Sequence, residues 1–419
     1  MLPGFLGWLL LLPGFSFAQK LTLDKANEMA RQHYPLIKQR ALLQQTTALS
    51  LDNLTKGYWP QFSLSGQATY QSDVTRISLP IPGISITPPS KDQYKIVADL
   101  NQVIYDGGLI STQKTMQQLG EKVEQDKIEV ELYKLKDRIN QLFLGILYLD
   151  AQLKQVKLIR DDLQNGISKT EAMVNNGVAF RSNLNVLKAE LLKADEREIE
   201  TAAARKGLLD VLSLFLDQPL PESTQLETPV PAGVAVTDSI RRPELKLFGT
   251  QKNLLGSQYK LIEARNRPRA SVFAQGGYGR PGLNMLKNDF TFYGIAGLRF
   301  SWAFGGLYTR KKEKQLIDIN KKTIDIQEET FLLNTHTAMK QQQADIDKLE
   351  KLIAKDEAII GLREKVKEAA KAQLENGVIT ANDYLREVNA EDQSRQNLLT
   401  HRVQLLQAQI NYQTISGNQ

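Results

Sequence analysis

The chain's imidazoles are His33, His336 and His401, and no cysteine accompanies them. Zinc or copper sites draw on several such ligands brought together at characteristic spacings. Each histidine here stands alone in a helical stretch, so packing or surface roles are expected and no metal. Gly276-Gly277-Tyr278-Gly279 has the small residues of a phosphate cradle, but it ends a strand and neither Gly-Lys-Ser/Thr nor a helix follows. No nucleophile, base and orienting group are set out together. The expectation is therefore no cofactor and no catalysis. Asp383 and Arg386, three residues apart on a helical segment, share a face and offer electrostatics rather than bond-making.

Composition narrows the class of protein. The 419 residues carry a net charge of +6, spread along the chain instead of gathered into basic arms, which gives no reason to expect nucleic-acid binding. Without cysteine there are no disulfides and no thiolate ligands. At the N-terminus, Phe5 to Leu12 form an apolar run too short to span a bilayer, and Ser16-Phe17-Ala18 puts small residues before a cleavage point. Residues 1–18 are expected to be a secretory signal peptide, although no Lys or Arg precedes its apolar run. No later stretch has 18 consecutive apolar residues, so a crossing of the membrane would have to be made by strands.

Proline is excluded from helix interiors, and it is missing between Pro89 and Pro219 and again after Pro281. In the first gap apolar residues fall at Ile128, Leu132, Leu135, Ile139, Leu142, Ile146, Leu149, Leu153 and Val156, then at Leu163 and Ile167 beyond Arg160. Alternating steps of four and three make a 3.5-residue period, which calls for left-handed coiled-coil packing. Phe143, Leu144, Leu147, Tyr148 and Ile159 add a second apolar edge and predict neighbours on two sides. A helix from about Leu109 to Val174 would be roughly 100 Å long at 1.5 Å per residue.

Other stretches keep a period of two. Gln61, Ser63, Ser65, Gln67 and Thr69 alternate with Phe62, Leu64, Gly66, Ala68 and Tyr70. Even positions from Phe290 to Trp302, and Tyr94, Ile96, Ala98, Leu100 and Ile104, hold the same apolar register. These are strands with one apolar and one polar face. An ordinary sandwich fits that alternation. Export and the aromatics at strand ends (Tyr58, Trp59, Tyr105, Trp302) favour a membrane barrel with a wet lumen. Four strands cannot close a barrel, which needs about eight, so oligomerisation is required. Strand count leaves three-fold and four-fold rings open.

The chain also repeats itself. Pro35, Pro60 and Tyr70 match Pro243, Pro268 and Tyr278 at an offset of 208. Gly107-Gly108-Leu109 matches Gly305-Gly306-Leu307 at 198, and Asn176-Gly177-Val178 matches Asn376-Gly377-Val378 at 200. Ala189-Glu190 matches Ala390-Glu391 at 201. The reading is a first repeat over 19–215 (helix, two strands, long helix, helix), a linker over 216–240 and a second repeat over 241–419. Glycine at each Gly-Gly would supply the dihedrals that turn a strand into a helix. A bulge at the end of a soluble strand is the plainer alternative.

The order of elements, the Pro-initiated strands, Tyr-Asp-Gly-Gly at a strand-to-helix transition and the doubled Asn-Gly-Val followed by Ala-Glu resemble the TolC-type outer membrane efflux protein family, across nearly all of the chain after the leader. The resemblance implies a mixed α/β membrane protein: a homotrimer whose 12-stranded barrel, four strands per subunit, continues into an α-helical coiled-coil tunnel in the periplasm. It implies an outer membrane exit channel for a tripartite efflux or type I secretion system, in contact with outer membrane lipid, a periplasmic adaptor and an inner-membrane transporter. The adaptor-docking tip would then be Asn176, Gly177, Val178, Asn376, Gly377 and Val378. Gly107, Gly108, Gly305 and Gly306 would mark the exits from the bilayer, and 217–240 an equatorial insertion. The family often places two acidic residues one turn apart at the periplasmic constriction. Asp383 matches the first, but Arg386 stands at the second, where it could hold a ring of Asp383 carboxylates shut. The rival function is a periplasmic coiled-coil scaffold without a channel.

Overall fold

A computed structural model describes residues 20–75, 88–230 and 239–417. The expected signal peptide, the middle of the first hairpin loop and part of the linker lie outside the described residues. Helix α1 (Leu23–His33) and a 3-10 turn (Pro35–Lys38) lead into α2 (Gln39–Thr55). Strands β1 (Gln61–Tyr70) and β2 (Asp92–Tyr105) precede α3 (Leu109–Asn175) and α4 (Arg181–Leu216). The second half runs α5 (Pro243–Arg265), β3 (Arg269–Arg280), β4 (Thr291–Ser301), α6 (Gly306–Glu375) and α7 (Ala381–Ser416). Among the described residues no helix is long and apolar enough to cross a membrane.

Two compact units result, and each takes segments from both sequence halves. One comprises residues 38–128 and 244–330 and holds an antiparallel sheet in the order β1-β2-β3-β4. Its register keeps parity across the four strands up to a bulge between Val103 and Tyr105, where Tyr105 instead of Ile104 pairs with Ala270. Gly66, Ile96, Tyr278 and Phe292 form one row, and Ser63, Asp99, Gln275 and Ile295 another. Successive residues point to opposite faces of a sheet, so outside that bulge the even positions share one face. That face exposes Phe62, Leu64, Ile96, Leu100, Phe292, Leu298 and Phe300. On the odd face Gln275 donates to Asp99 at 2.7 Å, and the Arg299 guanidinium lies 4.7 Å from the Phe273 ring. In the helical part of this unit, buried Asp126 accepts from Thr250 Oγ1 at 2.6 Å and pairs with Lys246 at 2.8 Å.

The other unit comprises residues up to 37, 129–243 and 331 onward. The heptad stripe read from sequence is its core. Leu135, Ile139 and Ile146 of α3 pack with Leu209, Leu212 and Leu216 of α4. The second apolar edge, Phe143 and Leu144, is covered in the same cluster, to which α1 brings Leu23, Ala26 and Ala30. A second cluster joins Leu163 and Ile167 to Leu184 and Leu187 of α4, Leu374 of α6 and Tyr384, Leu385 and Val388 of α7.

Candidate functional site

The Asn-Gly turns close α3 and α6 with the same set of bonds. Asn176 N donates to Ala172 O at 3.1 Å, Gly177 N to Val174 O at 3.0 Å and Val178 N to Met173 O at 2.8 Å. Asn376, Gly377 and Val378 donate to Ala372, Leu374 and Gln373 at 3.1, 3.0 and 2.8 Å. The last two bonds of each set form a Schellman motif, which needs a left-handed residue. Gly177 and Gly377 supply it, with φ of 72° and 71°. A Cβ at either position would meet nothing within 4 Å, so backbone conformation alone calls for glycine there. Val178 and Val378 are exposed beyond the turns.

The two turns lead into differently capped helices. Thr380 caps α7: its Oγ1 accepts from Asp383 N at 3.2 Å, and Asp383 Oδ2 accepts from Thr380 N at 3.1 Å and Thr380 Oγ1 at 2.7 Å. This reciprocal capping box satisfies amides that a helix start leaves without partners. Phe180, at the matched position before α4, makes no side-chain cap bond and is 80 % exposed. Thr380-x-x-Asp383 carries the sequence signature of this cap, a signal absent from the expectations above.

Asp383 is thereby held below the usual carboxylate range, first by the Thr380 side chain and backbone and only lastly by the charge of Arg386. The Arg386 ion pair runs to Glu387, Nε to Oε1 at 3.3 Å. Arg386 also lines a groove between α4 and α7 with Val186, Ala189, Glu190, Lys193 and Leu385. Three-residue spacing put Asp383 equally near Thr380 and Arg386, and the structure gives the carboxylate to Thr380.

The two Gly-Gly transitions are unlike. Gly107 and Gly108 both take left-handed φ, 73° and 84°, at the start of α3. The Asp106 carboxylate, just past β2, accepts from Gly108 N at 2.8 Å and Ile110 N at 2.7 Å, tying the strand's end to the first turn of helix. A Cβ on Gly107 would stand 2.8 Å from Arg267 Cβ. Gly305 and Gly306 adopt no left-handed φ, which corrects the expectation that both pairs supply special dihedrals. At the offset of 198, Phe304 occupies the position of Asp106, and α6 begins through bonds from Leu307 N to Phe304 O and from Tyr308 N to Gly305 O. Gly306 instead leaves room for the Asn266 side chain.

Among the described residues no cluster of three or more His, Cys, Asp or Glu is arranged to hold a metal. His33 lies 3.4 Å from Asp217 and His401 2.5 Å from Asp356, each an ordinary contact between segments of one unit.

No protein-family profile matches the chain, and no curated protein matches it in sequence. Solved structures match it in fold. The chain superposes on CusC, described for the conformational changes accompanying folding and transmembrane channel formation, with a TM-score of 0.66 and 13 % identity over 95 % of this chain and 92 % of that one. The outer membrane protein VceC of Vibrio cholerae gives 0.65 and 15 % over 95 % and 97 %. The Campylobacter jejuni CmeC outer membrane channel gives 0.63 and 13 % over 94 % and 85 %. The fold is thus that of the TolC-type outer membrane channels.

Proposed function

We propose that the protein is an outer membrane exit channel of a tripartite efflux or type I secretion system, passively conducting substrates that an inner-membrane transporter and a periplasmic adaptor deliver. The observation that carries this reading is the sheet. Its four strands leave β1 and β4 with one neighbour each, and its even face presents large apolar side chains to the surroundings. A soluble protein would bury that face or blunt those edges. Three chains in a ring would pair the edges and turn the apolar face to lipid, giving 12 strands around a lumen lined by odd positions.

In this reading, residues 1–18 are a leader, 19–215 and 241–419 are duplicated halves, and 216–240 form the equatorial insertion. Gly107-Gly108 and Gly305-Gly306 mark where the chain leaves the bilayer for the periplasmic helices. The Asn176-Gly177-Val178 and Asn376-Gly377-Val378 turns are the adaptor-docking tip, supported by their matching geometry and exposed valines. Asp383 and Arg386 lie one turn inside the tip, at the constriction. No chemistry is performed on the cargo. The purified protein is expected to conduct in planar bilayers as a trimer. A monomer without conductance would instead be a periplasmic scaffold.

A further inference from the structure

The turn joining β3 to β4, residues 281–290, lies at the strand ends opposite those that join α5 and α6. Outward-facing loops of a barrel normally stand in water and are polar. This one exposes Leu283, Met285 and Leu286 by 57, 58 and 54 %. Its conformation is braced. Asn284 Oδ1 accepts from Leu286 N at 3.0 Å and Asn284 O from Lys287 N at 3.2 Å, folding a local turn that presents the flanking side chains. Asn288 is pinned to Ser90, two residues before β2, donating to Ser90 Oγ at 2.8 Å and accepting from Ser90 N at 2.9 Å.

The apolar loop is continuous with the apolar face below it. Phe290 stacks 5.6 Å from Tyr278, which lies 4.5 Å from Phe292, and Tyr94 is 6.3 Å from Phe290. All four are even-numbered, on the face that carries Leu64, Ile96 and Leu298. The Arg280 guanidinium sits 5.3 Å from the Phe290 ring and 5.6 Å from the Tyr94 ring, paired with Asp92. Aromatic rings with a cation among them, between an apolar band and water, make the arrangement of a membrane–water boundary. Leu283, Met285 and Leu286 extend that boundary. Leaving them in water forgoes roughly 25 cal/mol for each Å² they could bury.

We propose that the β3–β4 turn is a lipid-inserted foot, with Leu283, Met285 and Leu286 among the acyl chains at the headgroup boundary of the outer leaflet and Lys287 at the level of the phosphates. This rests on the channel reading, and the test separates the two. Because the chain has no cysteine, single cysteines can carry a spin label in vesicles of phosphatidylethanolamine and phosphatidylglycerol. Leu298→Cys reports the even face and Gln67→Cys the odd face. Met285→Cys reports the foot. Collision with oxygen, which concentrates in the bilayer, is compared with collision with a water-soluble nickel chelate. The Met285→Cys label is expected to behave as Leu298→Cys does, favouring oxygen several-fold. Preference for the nickel chelate would place the loop in water, and shielding from both would place it across the mouth or against a second copy. Either result overturns the foot while Leu298→Cys and Gln67→Cys still differ. If those two do not differ, the channel reading fails and the foot falls with it.

Discussion

Phe180 and Thr380 begin helices after turns with the same hydrogen bonds, yet only Thr380 bonds back to its helix. Losing a Thr cap costs about 1 kcal/mol. Thr380→Ala is therefore expected to speed amide exchange several-fold over residues 381–384 and leave residues 181–184 unchanged. Equal exchange before and after would mean that the capping box does not form in solution. The same residues fix a pH dependence. Since Thr380 holds Asp383 below its ordinary range, the contribution of Asp383 is complete above the unfolded carboxylate value. It is lost as pH falls through the folded value. The start of α7 is expected to loosen on acidification below about pH 4. Arg386→Gln should barely displace that profile, because Arg386 is a lesser influence and pairs with Glu387. A clear upward displacement would restore a direct Asp383–Arg386 couple.

Between elements, one cluster holds three helices together. Lys367 of α6 pairs with Asp162 of α3 at 3.0 Å and with Glu391 of α7 at 2.7 Å. Arg395 joins Glu391, at 2.6 Å, to Glu364. Glu391 is 4 % exposed, so Glu391→Ala removes the buried carboxylate that joins two cations and leaves Lys367 with Asp162 and Arg395 with Glu364. An exposed pair is worth about 1 kcal/mol or less, and a carboxylate buried between two cations is expected to be worth more. Glu171→Ala, which breaks the exposed pair with Lys188, is the comparison. Urea unfolding should show a much lower midpoint for Glu391→Ala, and equal midpoints would deny the cluster a structural role. Element types were legible because their periods are long: nine stripe positions from Ile128 to Val156 set α3, and strict alternation set β1 and β4. The extent of the helical stretch at His33, which is α1, was not legible because 11 residues with Leu23, Ala26 and Ala30 inward are too few to register as periodic. The side of each strand residue was legible, but its partner was not. Val97 pairs with Gly277 across 180 positions of sequence, and nothing in either alternation names the other. Gly305-Gly306 misled because a dipeptide permits a left-handed turn without requiring one, and Asp106 has no counterpart before it.

At the scale of the whole molecule, the governing fact is that among the described residues β1 and β4 each have one strand neighbour. The outer edge of β1 and that of β4 present rows of backbone donors and acceptors, and in a bilayer each unsatisfied group costs several kcal/mol. The edges belong to opposite sides of one sheet, so in the proposed channel the pairing that would satisfy both is β4 of one copy with β1 of the next, a head-to-tail contact that would close only as a ring. Parity makes this testable without knowing the register. A one-residue slip exchanges the two faces, so odd positions of β1 must lie beside odd positions of β4. With Ser65→Cys fixed on β1, cysteines placed in turn at Thr291 to Ser301 should form cross-links at odd positions and not at even ones. The cross-linked ladder should end at three chains. Cross-links at even positions would break the face assignment, and a ladder reaching four chains would replace the three-fold ring with a wider one. A ladder that stops at two would leave an edge open, and the barrel could not exist.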